Sequence, residues 1–409
     1  MKLWGTELFA IALELGVFNK DDRLLAGVES SDLIDIPKVS DSAKRLRTLI
    51  FDVFMREFDS DLYAMARMIG FREEVASLMR YFTEHLKAEA FSRIDVFFDH
   101  EGWKFLELNA GSLTGGMQYA SLPRLAGFEQ SGDVLKEWAA GMRHHGIACK
   151  SLTLFLVDEL IVEEIRQPLS VFSQALQEET GSEVVISSPR SVSWDGFRLR
   201  YKGKVVDNIY CRFEQDQLLS RKDDYRDFLS ALEAKAVHCP FGLGYNVFAG
   251  KGVWALLWQL CAEGKLTAED RALVEQHLPY TSWLLDNTLD VALKEKNRLV
   301  LKPTDGYAGR DVVCGKEMTE RQWEAALHAA LGSGEKAYIL QAYVEPIPQW
   351  VATYDVNGRL EEYQARVVWG LYFLDDKYLG GLLRALPVTH SAVINYAGGA
   401  ATGPMMKAV

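Results

Sequence analysis

The sequence lacks the cysteine and histidine patterns on which zinc sites, disulfide scaffolds and nucleophilic triads depend. Its five cysteines are odd in number and widely spaced, and none forms the close pairs with cysteine or histidine that a zinc site requires. The eight histidines suggest no catalytic triad. Scarce cysteine without a disulfide pattern fits a reducing compartment, so a cytoplasmic protein is expected.

The chain also lacks long apolar runs and an excess of positive charge. Hydrophobic residues make up 48% of it, yet no stretch offers the roughly eighteen uninterrupted apolar residues of a membrane span. The segment Met1–Glu7 has an acid inside its only apolar run and no small-residue cleavage site, so no signal peptide is expected. A formal net charge of −12 argues against general binding to nucleic acid, which needs clustered Lys and Arg.

The length of 409 residues predicts two or three packed lobes around a shared cleft, because a single core rarely grows so large. The pattern of residues 1–90 predicts a mainly helical segment, because apolar residues recur at three- and four-residue intervals in 47–54 and 75–82. This segment is expected to cover one wall of the core. The chain shows no internal repeat and no low-complexity linker.

The middle of the chain alternates apolar strands with helix. Short apolar runs at 152–157, 183–186 and 208–212 flank a helical stretch from Ser170 to Glu179. Buried strands that alternate with helices predict a small α/β layer with a parallel sheet. A further hairpin is expected at 197–206.

A change of period after residue 92 predicts an antiparallel hairpin. Apolar and polar residues alternate along its first strand, and a turn follows at Asp99–Gly102. The side chains expected on one face of the first strand are Ile94, Val96 and Phe98, and those expected to share a face of the second are Phe105, Glu107 and Asn109. The hairpin is therefore expected to carry polar groups inward.

Three polar side chains of this hairpin form a candidate magnesium site. Glu107 and Asn109 are two residues apart and project together, while Asp95 can face them from the adjacent strand. Carboxylate and amide oxygens are the hard ligands that Mg²⁺ prefers. The alternative is a polar face exposed to solvent, which does not explain the apolar neighbours at 105–106 and 108.

About 200 residues later, a strand ends in Lys302-Pro303 and leads into a loop that contains Gly306 and Gly309. Glycines let backbone N–H groups approach a phosphate closely, and a lysine supplies positive charge. In isolation, an ordinary strand-turn-strand unit explains the same pattern.

Together the two motifs resemble the ATP-grasp family in circularly permuted order, as in the ligase half of glutathionylspermidine synthetases and related peptide ligases. Ala337–Glu345 looks like the family's hinge strand, and Gly250–Trp258 resembles the segment that carries its other phosphate lysine. In unpermuted members an Arg…Arg…Asn-x-x-Gly-Gly run precedes the Asp…Glu-x-Asn hairpin. Here that run, from Arg366 to Gly399, comes last, so joining the two ends of the chain would restore the usual order. The resemblance covers residues 90–120 and 205–403.

The resemblance implies a mixed fold class, α+β and α/β: an ATP-grasp fold in circularly permuted order, with a small α/β pre-ATP-grasp lobe and an N-terminal helical segment. The expected parts are a mainly helical segment that packs on the core (1–90), a metal-binding hairpin with a following helix (91–149), the pre-ATP-grasp substrate lobe (150–245) and the nucleotide-binding lobes (246–409).

The resemblance also implies ATP as cofactor, with a pair of Mg²⁺ ions, or Mn²⁺ in their place, held by the hairpin site. The backbone of residues 342–344 would meet the base, and Glu345 would approach the ribose. The residues expected to bind the nucleotide are Lys251, Lys302, Gly306, Gly309, Arg310, Gln341, Tyr343, Val344, Glu345 and Asn395. The expected catalytic residues are Arg384, Arg366 and Lys302, because fixed positive charge stabilises a phosphoryl group in transfer.

Some of these assignments have ordinary alternatives. The alternative for Lys251 is a solvated residue at a helix start, and the alternative for each arginine is a solvated strand position. The glutathionylspermidine synthetases carry Arg-Glu-Gly in the glycine loop, where this chain has Gly309-Arg310-Asp311. The family pattern therefore does not specify the phosphate contacts of this loop.

Three residues are candidates for substrate binding. Ser112 and Thr114 lie in a glycine-rich stretch whose N–H groups and hydroxyls can surround a carboxylate, although a plain glycine-rich turn fits as well. Arg212 ends a buried strand beside Glu214 and Asp216 and can hold a substrate carboxylate or form a structural ion pair.

The leading functional expectation is an ATP-dependent carboxylate-amine ligase. It would form an acyl phosphate, release ADP and phosphate, and join an amino acid, short peptide or small amine metabolite. One alternative loads an amino acid onto the thiol of a carrier protein. Another, of a different class, is a non-catalytic ATP-binding or assembly protein. The expected partners are small carboxylate and amine substrates, with a carrier protein under the first alternative, and neither nucleic acid nor membrane.

Overall fold

The computed structural model describes residues 2–28, 34–83, 86–127, 133–306, 309–334, 337–396 and 398–405. Tyr307 and Ala308 of the glycine loop and Ala397 of the C-terminal motif lie outside these ranges. Within them the chain has a mixed α/β fold.

The helices are α1 (Lys2–Glu14), α2 (Ile36–Glu57), α3 (Leu62–Met68), α4 (Glu73–Leu78), α5 (Met117–Ala120), α6 (Leu122–Leu125), α7 (Val134–Gly141), α8 (Val162–Thr180), α9 (Gln215–Ser220), α10 (Arg226–Glu233), α11 (Tyr245–Ala249), α12 (Gly252–Ala262), α13 (Ala268–His277), α14 (Leu289–Lys294) and α15 (Glu320–Gly332). No described helix combines the length and apolar character that a membrane span requires.

The strands are β1 (Leu24–Val28), β2 (Ser92–Asp99), β3 (Gly102–Ala110), β4 (Leu152–Val157), β5 (Glu183–Ser187), β6 (Val192–Trp194), β7 (Leu199–Tyr201), β8 (Lys204–Val205), β9 (Asn208–Arg212), β10 (Thr281–Trp283), β11 (Leu299–Pro303), β12 (Val313–Cys314), β13 (Tyr338–Ala342), β14 (Gln349–Tyr354), β15 (Leu360–Leu374), β16 (Lys377–Pro387) and β17 (Ala401–Pro404).

A seven-stranded sheet in the order β14-β1-β17-β16-β15-β2-β3 joins the two ends of the chain. The predicted hairpin is confirmed as β2 and β3, with Asp95 opposite Glu107 and Arg93 opposite Asn109. Strand β2 also pairs with β15, which places Gly370 beside Asp95. The early hairpin and the late strands thus belong to one sheet.

The predicted face of β3 is wrong at Phe105. The register shifts so that Asp95 pairs with Glu107 while Val96 pairs with Phe105, which leaves Leu106 as the extra residue of a β-bulge. One extra residue reverses the alternation, so Phe105 faces the core and is fully buried, opposite to Glu107.

Two smaller sheets flank the large one. The predicted parallel layer is confirmed as β5-β4-β9, and the further hairpin is confirmed as β7 and β8. A four-stranded sheet, β10-β13-β11-β12, carries Lys302 on β11, opposite Ile339 of β13. Helices α14 and α15 pack on that sheet through a small core that includes Trp323 and Leu327.

The N-terminal part is mainly helical, but it also supplies a strand that the sequence pattern did not predict. Five residues, Leu24–Val28, form β1 and pair with β14 and β17 of the large sheet. Helix α2 begins after Asp35, whose carboxylate accepts from the N–H of Lys38 and so caps the helix. Its buried side chains, such as Leu46 and Ile50, join the main core.

Trp138 on α7 lies where several elements of the main core meet, and it is fully buried. Its ring centroid lies 6.4 Å from that of Phe91, 6.2 Å from that of Phe172 and 5.4 Å from that of Tyr210. We expect Trp138→Ala to lower the free energy of unfolding by about 3–5 kcal/mol, because it removes the largest side chain of this contact and leaves a cavity. Urea denaturation measures this value.

The control is Trp350→Ala, because Trp350 is 51% exposed on β14. That change should alter the free energy of unfolding by at most about 0.5 kcal/mol. Equal losses in the two variants would contradict the placement of Trp138 at the centre of the core.

Candidate functional site

A cavity of about 950 Å³ lies between the seven-stranded sheet and the four-stranded sheet. Its walls come from β2, β3, β11, β13, β15, β16, the start of α12 and the loop before β17. Eleven residues that the sequence predicted for the site line it: Asp95, Glu107, Asn109, Lys251, Lys302, Gly309, Gln341, Tyr343, Val344, Arg384 and Asn395. Both sequence motifs therefore meet in one cavity, which we call the main cavity.

The main cavity has an excess of positive charge. Its cationic side chains are Arg93, Lys251, Lys302 and Arg384, and its carboxylates are Asp95 and Glu107. Charges that line a cleft with low-dielectric walls focus the electric field. This excess of positive charge suits a polyanion.

Arg93 and Arg384 bind Asp95 from two strands. Arg93 Nε donates to Asp95 Oδ1 at 2.8 Å, and Arg384 Nη2 donates to Asp95 Oδ2 at 2.5 Å. Burial alone would raise the pKa of Asp95, but the two guanidinium groups lower it well below its usual range, so the carboxylate stays ionised. Gly370 leaves room for this cluster, because a Cβ there would lie 2.9 Å from Arg93 Cδ.

The two lysines reach the same region from different elements. Lys251 precedes α12, and its Nζ donates to the carbonyl of Gly306 and lies 3.6 Å from Glu107 Oε2. Lys302 Nζ donates to Gln341 Oε1 at 2.6 Å. Burial lowers the pKa of Lys302 to about 8; Glu107 and Asp95 raise it, Cys314 also raises it, and Lys251 lowers it further.

The main cavity also has an apolar lining, which we call the apolar slot. The side chains that form it are Phe97, Leu106, Val300, Val312, Val368 and Ile394. The N–H groups of Ala342 and Tyr343 donate to the carbonyls of Tyr280 and Arg298. Of the three hinge amides assigned to the base, only that of Val344 has no partner within the described part of the chain.

The glycine loop packs against the C-terminal motif. Gly309 has φ +72°, and a Cβ there would lie 2.4 Å from Nδ2 of Asn395. Asn395 Oδ1 in turn accepts from the N–H of Gly398 at 2.5 Å. Only glycine fits this position without displacing Asn395.

A second chamber of about 660 Å³ adjoins the main cavity, and Glu107, Asn109 and Lys251 line both. The second chamber has the opposite charge balance, because Glu107, Glu214 and Asp305 face a single cation, Lys251. Its other polar lining residues are Thr114, Gln215, Asn246 and Thr304.

The remaining predicted site residues lie outside the main cavity. Gly306 and Thr114 line the second chamber. Glu345 forms ion pairs with Lys316 and with Arg366, whose guanidinium also donates to the carbonyl of His390. Gly306 and Glu345 stay predictions as nucleotide ligands, Arg366 as a catalytic group and Thr114 as a substrate ligand.

Three more predicted residues line neither cavity. Arg310 is exposed at the glycine loop. Arg212 Nη1 donates to the carbonyl of Ser112 at 2.8 Å and lies over the ring of Phe172. Arg212 thus holds the glycine-rich stretch that contains Ser112 and Thr114, a contact that the sequence did not predict.

Sequence reasoning missed several residues that face these cavities. Arg93 stands two residues before Asp95, and its place on the same face of a strand was an available signal. Glu214 and Asp305 each lie two residues after the end of a strand, β9 and β11, but those strands belong to different sheets. Nothing in their local pattern indicates that they share a chamber.

No protein-family model and no curated protein matches this sequence. Among solved structures, the chain is similar to the apo form of a glutathione synthetase-like effector from Globodera pallida, at 13% identity and a TM-score of 0.53 over 98% of this chain and 92% of that one. A candidate γ-glutamylcysteine synthetase from Methylobacillus flagellatus KT matches at 13% identity, with a TM-score of 0.41 over 87% of this chain and 84% of that one. A D-cycloserine synthetase matches at 15% identity, with a TM-score of 0.35 over 62% and 75%. The first match shows that this chain shares the overall mixed α/β fold of the effector. The TM-scores of the other two matches are too low to support a conclusion about this chain.

Proposed function

We propose that this chain is an ATP-dependent carboxylate-amine ligase with an ATP-grasp fold in circularly permuted order. The observation that carries the proposal is the pairing of a basic cavity that has an apolar slot with an acidic chamber, across the shared residues Glu107, Asn109 and Lys251. A nucleotide has an apolar base at one end and a polyanion at the other, which matches the main cavity. An acceptor of opposite charge would enter from the acidic side.

The residues of the main cavity fit ATP. The base would occupy the apolar slot, with the free N–H of Val344 as a hydrogen-bond donor. The phosphates would lie among Lys251, Lys302, Arg93 and Arg384, because compact and fork-shaped cations both bind phosphate oxygens.

A Mg²⁺ ion fits this site in company with phosphate. In the described residues, no cluster of three or more His, Cys, Asp or Glu side chains forms a metal site on its own. Glu107 and Asn109 would hold the ion together with phosphate oxygens, which Mg²⁺ commonly shares with a few protein ligands. Asp95 stays a prediction as a third ligand, since its oxygens already accept from Arg93 and Arg384. A bound Mg²⁺ supplies charge stabilisation at the phosphoryl oxygens.

The protein's part in the chemistry is positioning and electrostatic stabilisation. An oxygen of the carboxylate substrate attacks the γ-phosphate, ADP leaves, and an acyl phosphate forms. Lys251, Lys302 and Arg384 offset the negative charge that accumulates on the transferred group. An amine then attacks the acyl carbonyl and phosphate leaves, so no nucleophilic side chain is needed.

Mg-ATP turnover by the purified protein against pooled amino acids and short peptides tests this proposal. Mass spectrometry of nucleotide and products should detect ADP, phosphate and a new amide mass. AMP with pyrophosphate would refute an acyl-phosphate route. ATP binding without turnover would favour a non-catalytic protein, and a thioester formed only with a carrier protein would favour carrier loading.

The pKa of Lys302 predicts how nucleotide affinity depends on pH. Only the protonated amine attracts phosphate, so affinity should be constant below pH 7 and fall as pH rises past about 8. By linkage the affinity for ATP should fall by a factor that approaches about ten per pH unit. The fall should end at the pKa that Lys302 has when ATP is bound. Titration calorimetry with ATP from pH 6.5 to 9.5 measures how the affinity for ATP changes with pH.

Two variants separate Lys302 from other titrating groups. Lys302→Arg keeps the charge at high pH and should remove the decline above pH 8. Lys302→Ala should bind ATP weakly at every pH. A decline of unchanged size in Lys302→Arg would assign the titration to another residue.

A further inference from the structure

We propose that the second chamber binds the acceptor amine and that the carboxylate of Glu214 takes up its proton. The inference rests on the proposed ligase function and specifies where the second substrate enters and how it is activated. The chamber is the space of about 660 Å³ that borders the main cavity at Glu107, Asn109 and Lys251.

The charge of the chamber selects a cation. Three carboxylates, those of Glu107, Glu214 and Asp305, line it against the single ammonium of Lys251. Near a protein surface, opposite charges about 4 Å apart attract by about 4 kcal/mol, and like charges repel equally. An alkylammonium group is therefore attracted to the chamber, whereas a second carboxylate or a phosphate is not.

Two polar atoms of the chamber indicate that a ligand completes it. Thr114 is 2% exposed, and its Oγ1 has no hydrogen-bond partner within the described ranges of the chain. Asp305 Oδ1 is buried and likewise has no partner in that part of the molecule. An unmade hydrogen bond of a buried polar group costs about 1–3 kcal/mol, so both atoms are suited to accept N–H donors from a bound amine.

Neighbouring residues fix the acids in place. Arg72 Nε lies 3.4 Å from Asp305 Oδ2, whereas Asp305 Oδ1 has no partner in the described part of the chain. Glu214 precedes α9, where its N–H donates to Gln217 Oε1 at 2.7 Å and its carbonyl accepts from the N–H of Gln217 at 3.1 Å. Asn246 is held by Gln215 through a hydrogen bond of 2.8 Å. The chamber is therefore preorganised, which reduces the cost of binding a small ligand.

Glu214 has the properties of a general base for this site. Burial raises the pKa of Glu214 to about 7, a shift that Arg212 and Arg310 oppose and Asp216 reinforces. A base whose pKa lies near the working pH is ionised often enough to accept a proton and basic enough to hold it. Lys251, Glu107 and Asp305 are the other charged groups of the chamber.

The proposed step is balanced in atoms and charge. The substrate ammonium loses one proton to the Glu214 carboxylate and becomes a free amine. Its nitrogen lone pair forms a bond to the acyl carbon, and the bond from that carbon to the phosphate oxygen breaks with its electron pair on phosphate. The second proton of the nitrogen leaves with the phosphate as hydrogen phosphate, and the products are an amide and a protonated Glu214.

Hydroxylamine separates this proposal from the ligase function itself. It is a small nucleophile that is unprotonated at neutral pH, so it traps an acyl phosphate as a hydroxamate without a base. The experiment supplies Mg-ATP and the pooled amino acids and short peptides, and measures hydroxamate and amide formation side by side. Glu214→Gln should lower the ratio of the amide rate to the hydroxamate rate by about 100-fold or more. Asp305→Asn should raise the KM for the amine.

The control is Glu101→Gln, whose side chain is 81% exposed in the hairpin turn, and its ratio should equal that of the wild type. In the wild type, amide formation should rise with pH through about 7, and this rise should be absent in Glu214→Gln. If Glu214→Gln keeps the wild-type ratio, the amine-site assignment is wrong while the ligase function stands. If the wild type forms no hydroxamate, both are overturned.

Discussion

Replacing Arg384 with methionine should lower kcat for ADP release about a thousandfold, since an arginine that meets a transferred phosphoryl group contributes about 10³–10⁵. Arg384 lines the main cavity, and its Nε has no hydrogen-bond partner in the described part of the chain. That N–H therefore has no protein hydrogen bond to give up when a phosphoryl oxygen binds Arg384. A coupled assay of ADP release measures the effect.

The fold should survive this change. Arg93 binds both oxygens of Asp95, at 2.8 and 3.2 Å, so Asp95 keeps an ionic partner after Arg384 is removed. Far-UV circular dichroism and the urea midpoint should stay close to those of the wild type. Methionine replaces the aliphatic part of arginine and avoids a large cavity.

Arg366→Met is the matched control, because Arg366 lies on the neighbouring strand β15 and pairs with Glu345 instead of lining the cavity. If Glu345 approaches the ribose, this change should raise the KM for ATP by a factor of about ten or less, because it removes one partly exposed ion pair. It should leave kcat nearly unchanged. The opposite result would be a thousandfold loss of kcat in Arg366→Met together with near-normal kcat in Arg384→Met. That result would mean that Arg366, and not Arg384, meets the transferred phosphoryl group.

The hairpin and the parallel layer could be predicted from sequence because local periodicity specifies them. Alternation places Glu107 and Asn109 on one face, and short apolar runs identify β4 and β9. The bulge at Leu106 could not be predicted, because one extra residue leaves no compositional signal and yet moves Phe105 to the other face. The five residues of β1 are likewise too few to distinguish a strand from a connecting segment.

The residues of the main cavity were largely predictable from sequence, and those of the second chamber were not. Lys302 and Asp95 belong to sequence motifs, so each could be assigned without knowledge of the other's position. The binding of Asp95 by two arginines depends on β2 and β16 flanking β15, which is tertiary information. Glu214 and Asp305 line the same chamber because two sheets pack against each other. Neither residue belongs to a sequence motif.

The order of the motifs along the chain matters little to the site that they form. Strand β2 pairs with β15, so Asp95 and Arg384 lie 289 residues apart in sequence and still share a hydrogen bond. A sheet constrains which strands are neighbours and leaves the sequence of connections open within the usual limits on chain crossing. Motifs that lie far apart along the chain can therefore meet in one cavity.

Glu107→Gln should lower kcat with Mg-ATP by about 10²–10³-fold, since loss of one metal ligand removes several kcal/mol of charge stabilisation. Glutamine has the shape of glutamate but binds Mg²⁺ poorly, because it lacks the negative charge. Affinity for ATP without Mg²⁺ should be equal or slightly higher, since Glu107 Oε2 lies 3.6 Å from Lys251 Nζ and competes with phosphate for that cation. Turnover against Mg²⁺ concentration and calorimetry with and without the ion measure both effects.

Asp95→Asn distinguishes a metal ligand from a residue that holds two arginines. Its carboxylate is 3% exposed and bound by both Arg93 and Arg384, so its neutralisation leaves two buried guanidinium groups without their shared anion. Breaking a buried ion pair by removing one partner costs about 3–5 kcal/mol, whereas Glu107→Gln at a partly exposed site should cost less than about 1 kcal/mol. We therefore expect Asp95→Asn to lose stability and Glu107→Gln to lose turnover. If Glu107→Gln instead keeps near-normal turnover at every Mg²⁺ concentration, Glu107 does not bind the metal, and the assignment of the hairpin to a metal site is wrong.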